Sequence, residues 1–302
     1  MRRTNLPAPV WRGARLIALA LVIGTGINHL YWSVTDWNLV DMQVYWDAAL
    51  RLRTGEPLYE PGVDTFHAYR YAPWFAIAWV PLTHLPHGLV GVVWSGLLLA
   101  TSLVLLWPLV RQGTTFSLLL AALMLPLLVP MASGGNVQPL LVAALYYGIP
   151  RRSGPLWIAL AASLKIVPIL FVLLYVARRQ WLQAAVTVVL TGALLAPVLL
   201  FGLSRSTVDS GPVAALLGIS PVLYVAAVIL AIVAALLVSA RLPLYGAVAC
   251  AGAAQVALPR LFLSDVTLLL AGLSETHVPA RGAGPREGLS QQGLQPETQS
   301  PR

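Results

Sequence analysis

Nine apolar stretches fill most of this chain and leave it one solvent to fold in. They run over residues 16–35, 72–86, 88–110, 114–131, 136–149, 155–177, 181–203, 213–240 and 242–271. A helix of about 20 apolar residues crosses a bilayer, and most of the stretches reach that length. Residues 72–86 and 136–149 fall short and read as broken or re-entrant segments, which are tolerated where protein buries them or a cavity borders them. Only 10% of the 302 residues are charged, against about 25% in a soluble domain. With 58% hydrophobic residues and a mean hydropathy of +0.77, the chain cannot build a water-facing surface. The expected fold is an all-α polytopic membrane protein of about eight or nine transmembrane or re-entrant helices.

The net charge of +8 would raise nucleic acid as a partner for a soluble chain. Here the bases sit mainly at the ends of apolar runs, where the positive-inside rule accounts for them. Arg2, Arg3, Arg12 and Arg15, with no acid among the first fifteen residues, place the N-terminus in the cytoplasm. The first stretch reads as an uncleaved signal anchor, because Ile27 to Trp32 extend it with bulky residues and no small-residue cleavage site. The loop 35–73 then lies outside. It holds Asp36, Asp41, Asp47, Glu56, Glu60 and Asp64, six of the chain's eleven acids. Residues 1–273 form the membrane domain. The tail 274–302, rich in Gly, Pro, Ser, Gln and Glu, is expected to be disordered. Cys250 is the single cysteine, so no disulfide forms within the chain, and a buried inert thiol is the simplest reading.

Arg151–Arg152 and Arg178–Arg179 flank one apolar stretch at both ends. A single crossing cannot put both pairs in the cytoplasm, whereas a hairpin broken near Lys165 and Pro168 can. The sequence leaves both open.

The outer loop concentrates the chemistry. Met42, Tyr45, Ala49 and Leu52 share one helical face, and Gly55 and Pro57 end the pattern, as in an amphipathic helix on the membrane surface. Asp41 falls in its first turn, where it is an N-cap or a functional carboxylate. Tyr59, His67, Tyr69, Arg70, Tyr71 and Trp74 follow; an aromatic belt and a binding surface both fit them. Gly134-Gly135-Asn136-Val137-Gln138 is a tight turn or a polar loop facing a cavity. Lys165 stands about ten residues from either arginine pair, where an unpaired ammonium costs several kcal/mol; an anion such as a phosphate is its natural partner. Arg260 and Asp265 form a second polar pair or an interfacial turn.

In order, Asp41, Tyr45, Ala48–Ala49, Gly55, Leu58–Tyr59, Tyr69 to Pro73, the Asn136-Val137-Gln138 loop and Leu164–Lys165 resemble family 87 of the glycosyltransferases over roughly residues 15 to 180. The resemblance implies a GT-C-like bundle with a large first outer loop, in a bacterial inner membrane. It implies transfer of a sugar, often mannose, from a polyprenyl-phosphate donor to a glycan or glycolipid acceptor, with inversion. The GT-C fold it implies often needs no metal; no cofactor is expected, and the placement of the bases leaves no nucleic-acid partner expected. Asp41 then matches the general base, with Asp47 in reserve. Arg70 and Lys165 are the cations for the leaving phosphate. Tyr45, Tyr69 and Tyr71 stack on sugar or line the prenyl groove, and Asn136 and Gln138 join the substrate site; Arg260, beyond the matched region, is a further candidate for it. The chain departs from the family in being short after the matched region and in having Ala72 before Pro73. Two other readings are a transporter or flippase for a lipid-linked anion, suggested by Lys165 and the broken stretches, and a shortened inactive relative acting as a scaffold.

Overall fold

A computed structural model describes residues 8–35, 38–59, 68–201, 216–259 and 262–275. Among these the fold is all-helical. The α-helices are α1 (Ala8–Thr35), α2 (Val40–Thr54), α3 (Pro73–Trp79), α4 (His87–Gln112), α5 (Thr115–Gly134), α6 (Gln138–Gly148), α7 (Gly154–Leu164), α8 (Val172–Ala177), α9 (Trp181–Leu195), α10 (Val198–Phe201), α11 (Leu216–Ile219), α12 (Pro221–Arg241) and α13 (Gly246–Val256). Tighter 3₁₀ segments span Val80–His84, Val167–Phe171, Pro243–Tyr245 and Leu263–Glu275. Ser274 and Glu275, placed in the tail by composition, belong to the last of these, so the fold extends past the expected boundary at residue 273; 276–302 lie outside the described residues.

Five helical segments are long and apolar enough to cross a membrane: Val10–Trp32, His87–Gln112, Thr115–Gly134, Trp181–Phe201 and Pro221–Arg241. They carry much of their apolar surface outward, as lipid-facing helices do; Leu16, Val93, Val189 and Leu230 are all exposed. The rest are short. The eleven residues of α6, α7 and α13 each rise only about 16 Å. The stretch 242–271, uniformly apolar in sequence, is interrupted after Val256, where Pro259 offers no N–H to continue a helix.

Without water to expel from between them, helices in lipid associate by close packing of small residues. The run Gly246-Ala-Val-Ala-Cys-Ala-Gly-Ala-Ala of α13 serves this purpose between α12 and the 263–275 segment. A Cβ on Gly272 would come within 2.8 Å of Val248 Cα, and one on Gly246 within 2.9 Å of Leu174. Cys250 is wholly buried there as a free thiol.

The segment 154–177 is a hairpin. Helix α7 stops at Leu164, Lys165 is extended (φ −143°, ψ 115°), and the chain resumes as a 3₁₀ turn at Val167. A straight helix would part residues 154 and 175 by about 30 Å, yet the Tyr175 hydroxyl packs directly on Gly154. Both arginine pairs therefore lie at one end of the bundle. Glu275 joins them there, accepting from Arg178 Nη1 and Nη2 at 2.6 and 2.7 Å, while Arg178 Nη2 also donates to the Pro243 carbonyl, two residues past Arg241.

Candidate active site

The opposite end of the bundle gathers the polar side chains. Helix α2 begins at Val40 with Leu39 as its N-cap residue and no side-chain cap, so Asp41 does not cap the helix. Nor does α2 lie on a lipid surface: Met42, Val44, Tyr45, Trp46, Ala48 and Ala49 are all buried, covering more than one face against α3 and Val80–His84.

The first turn of α2 docks on the turn between α5 and α6. Gly135 adopts φ +75°, and a Cβ there would stand 2.6 Å from Met42 Cβ and 3.0 Å from the Met42 nitrogen. Leu39 is also left-handed (φ 51°), a conformation costing a non-glycine residue roughly 1–2 kcal/mol. Its buried side chain and its N–H bond to the Ser133 carbonyl (3.1 Å) hold it there. Asp41 is thereby brought against the turn: a Cβ on Gly134 would touch its Oδ2 at 3.5 Å, and the Asn136 side chain is close enough to favour its charged form. Asn136 Oδ1 also accepts from the Gln138 N–H at 2.9 Å. Burial raises the Asp41 carboxyl above its ordinary 3.8, opposed in part by the Asn136 side chain and the Lys165 ammonium.

Lys165 approaches from the hairpin tip. Its Nζ donates to Gln138 Oε1 at 3.1 Å and forms an ion pair with Asp265. The carboxylate partner is thus supplied by the chain, where the sequence pointed to an external anion. Asp265 is 2% exposed; its Oδ2 accepts from the Phe262 N–H (3.2 Å) and its carbonyl from Gln255 Nε2 (2.6 Å). Gln138 Nε2 donates to Thr267 Oγ1 at 3.2 Å. Asp41, Asn136, Gln138, Lys165 and Asp265 so form one continuous cluster. Arg260, the partner suggested for Asp265, lies outside the described residues, as does His67.

The tyrosines divide. Tyr45 is wholly buried, boxed by Tyr71, Phe75, Trp79 and Trp94 with ring centroids 5.0 to 6.4 Å away. Its hydroxyl accepts from the Val137 N–H (3.2 Å) and bonds the Tyr71 hydroxyl (3.1 Å). It has no face left for a sugar and acts instead as a strut between α2 and the 136–138 turn. Tyr69 is 2% exposed and donates to the Ala72 carbonyl, so it too is structural. Tyr71 is half-buried; burial raises its phenol, as does the Asp41 carboxylate, while Arg70 opposes the shift. Arg70 is exposed beside it. Asp47 accepts from Gln43 Nε2 at 2.8 Å and points about 120° round α2 from Asp41.

An apolar groove of about 620 Å³ opens beside the cluster. Val137 and Leu164, chain neighbours of Gln138 and Lys165, line it with Trp74, Phe75, Trp94 and Leu140, and it extends past Tyr147 to Trp157 and Arg151. Trp74 Nε1 donates to Ser163 Oγ (3.1 Å) and Trp94 Nε1 to the Gly135 carbonyl (2.8 Å), so its polar edges are tied to the same turns as the site. Among these residues Ser163, Gly135, Leu39 and Asp265's part in the cluster carried no signal in the sequence beyond an intramembrane acid and a double glycine. No family model, no curated protein and no solved structure matches the chain.

Proposed function

We propose that the protein is a membrane glycosyltransferase that moves a sugar from a polyprenyl-phosphate donor to a hydroxyl acceptor at the outer face, as the likeness to glycosyltransferase family 87 implies. The observation that carries this reading is a raised carboxylate, Asp41, gathered with Lys165 at one end of the bundle, next to an apolar groove lined by Val137 and Leu164, the chain neighbours of Gln138 and Lys165. In the proposed reaction Asp41 takes the proton of the acceptor hydroxyl, whose oxygen attacks the anomeric carbon. The bond from that carbon to the phosphate oxygen breaks, the centre inverts, and the polyprenyl phosphate leaves toward Lys165 and Arg70. The prenyl chain lies in the groove along α4, α6 and α7.

The depth of the site supports the reading. Trp94, level with Gly135, is seventeen residues and so about 26 Å along α4 from Arg111. If the arginine-rich end is cytoplasmic, as the positive-inside rule requires, Asp41 lies near the far edge of a hydrocarbon layer about 30 Å thick. There a sugar is in water while its lipid is not. Five long apolar helices with shorter apolar ones beside them are compatible with the expected GT-C-like bundle. Purified protein in nanodiscs, given polyprenyl-phosphate sugars and a glycolipid acceptor, tests this: consumption of donor supports transfer, and movement of intact donor between leaflets would support a flippase instead.

A further inference from the structure

Resting on that donor site, we infer that Asp265 is an internal competitor for the donor's phosphate: it occupies Lys165 in the empty protein and gives up the ammonium when the phosphate arrives. The two partners of the pair are unequal. The carboxylate is sealed, 3% exposed, while the lysine side chain is 38% exposed and springs from an extended, non-helical residue at the hairpin tip. Asp265 is held in place by the Phe262 N–H and by Gln255. Among the described residues Lys165 has only Gln138 Oε1 besides the carboxylate. The ammonium is therefore the member free to turn toward the groove mouth, and Gln138 can follow it or stay with Thr267.

The consequence has an unusual sign. A partner that merely supports Lys165 would, when removed, weaken anion binding along with stability. A competitor does the reverse. Removing one member of a partly buried pair leaves the other uncompensated and destabilises the fold, but the lone ammonium then gains more from a phosphate.

Lys165 is the chain's single lysine, which gives a single side-chain probe, distinct in shift from a methylated α-amino group. After reductive methylation with ¹³C-formaldehyde, its dimethylammonium resonance is followed as polyprenyl phosphate is added in nanodiscs. The wild-type signal should shift, and Asp265→Asn should show the same shift at a concentration lower by on the order of tenfold while melting at a lower temperature. Unchanged or weaker binding in Asp265→Asn overturns the inference and leaves the donor site standing; no shift in the wild type overturns both.

Discussion

Gly135 meets the backbone of Met42 so closely that a single added carbon would lie 3.0 Å from the Met42 nitrogen. That contact seats the first turn of α2, and with it Asp41, on the turn that carries Asn136 and Gln138. Gly135→Ala adds a Cβ where neither the φ of +75° nor the space admits one. It should cost about 1–3 kcal/mol, seen as a lower melting temperature in nanodiscs. Donor turnover should fall by more than the folded fraction does, because Asp41 is displaced. An alanine variant with normal stability would show that the docking of α2 is looser than described.

Asp41 couples pH to both stability and rate, with opposite signs. Burial raises its carboxyl above 3.8, so the folded state favours the protonated form more than the unfolded chain does. Stability from this group is complete below the unfolded value and is lost as pH rises through the folded one. Asp41→Asn should therefore melt higher than wild type at neutral pH, and the advantage should vanish in acid. In the proposed reaction the base must be ionised, so kcat/KM should rise with pH through a value above 3.8. Melting curves and a pH–rate profile of the wild type check both.

Lys165→Met leaves the Asp265 carboxylate buried without its ammonium. A sealed pair broken in this way costs about 3–5 kcal/mol. With the lysine 38% exposed, a loss of about 2 kcal/mol is expected. Adding Asp265→Leu should restore most of the stability and none of the donor binding, as read by thermal unfolding and by titration with polyprenyl phosphate.

The groove gives a prediction independent of charge. Ala144→Phe introduces a ring among Leu140, Tyr147 and Leu160 on the groove wall. It should raise KM for a long-chain donor several-fold and leave KM for a donor with a one-isoprene tail nearly unchanged. Equal effects on both donors would place the tail elsewhere.

The composition of the chain announced helices and lipid, and its misplaced charges announced a site. Lys165 and Asp265 stand out because a charge is expensive inside an apolar run, and Asp41 stands out by its place in the outer-loop motif. Their pairing was not legible, because spacing reports only neighbours three or four residues apart on one helix, and Lys165 meets Asp265 across a hundred residues. The two arginine pairs demanded a hairpin or a contradiction, and Pro168 marked where it breaks. By contrast, 242–271 reads as one span, since Ala, Leu and Val serve a long helix and two short ones equally well. Tyr45 looked like a ligand for sugar because an aromatic at a membrane boundary has the same signature whether its face is open or covered. Only the positions of α3 and α4 decide which.

The central claim is that the Asp41 carboxylate removes the acceptor's proton. It is tested most directly by donor turnover of Asp41→Asn beside wild type and Asp47→Asn, at matched folded fractions. The account predicts a loss in Asp41→Asn of about a hundred- to ten-thousand-fold, with Asp47→Asn within a few-fold of wild type and polyprenyl phosphate still bound by both. Transfer by Asp41→Asn at the wild-type rate would contradict it.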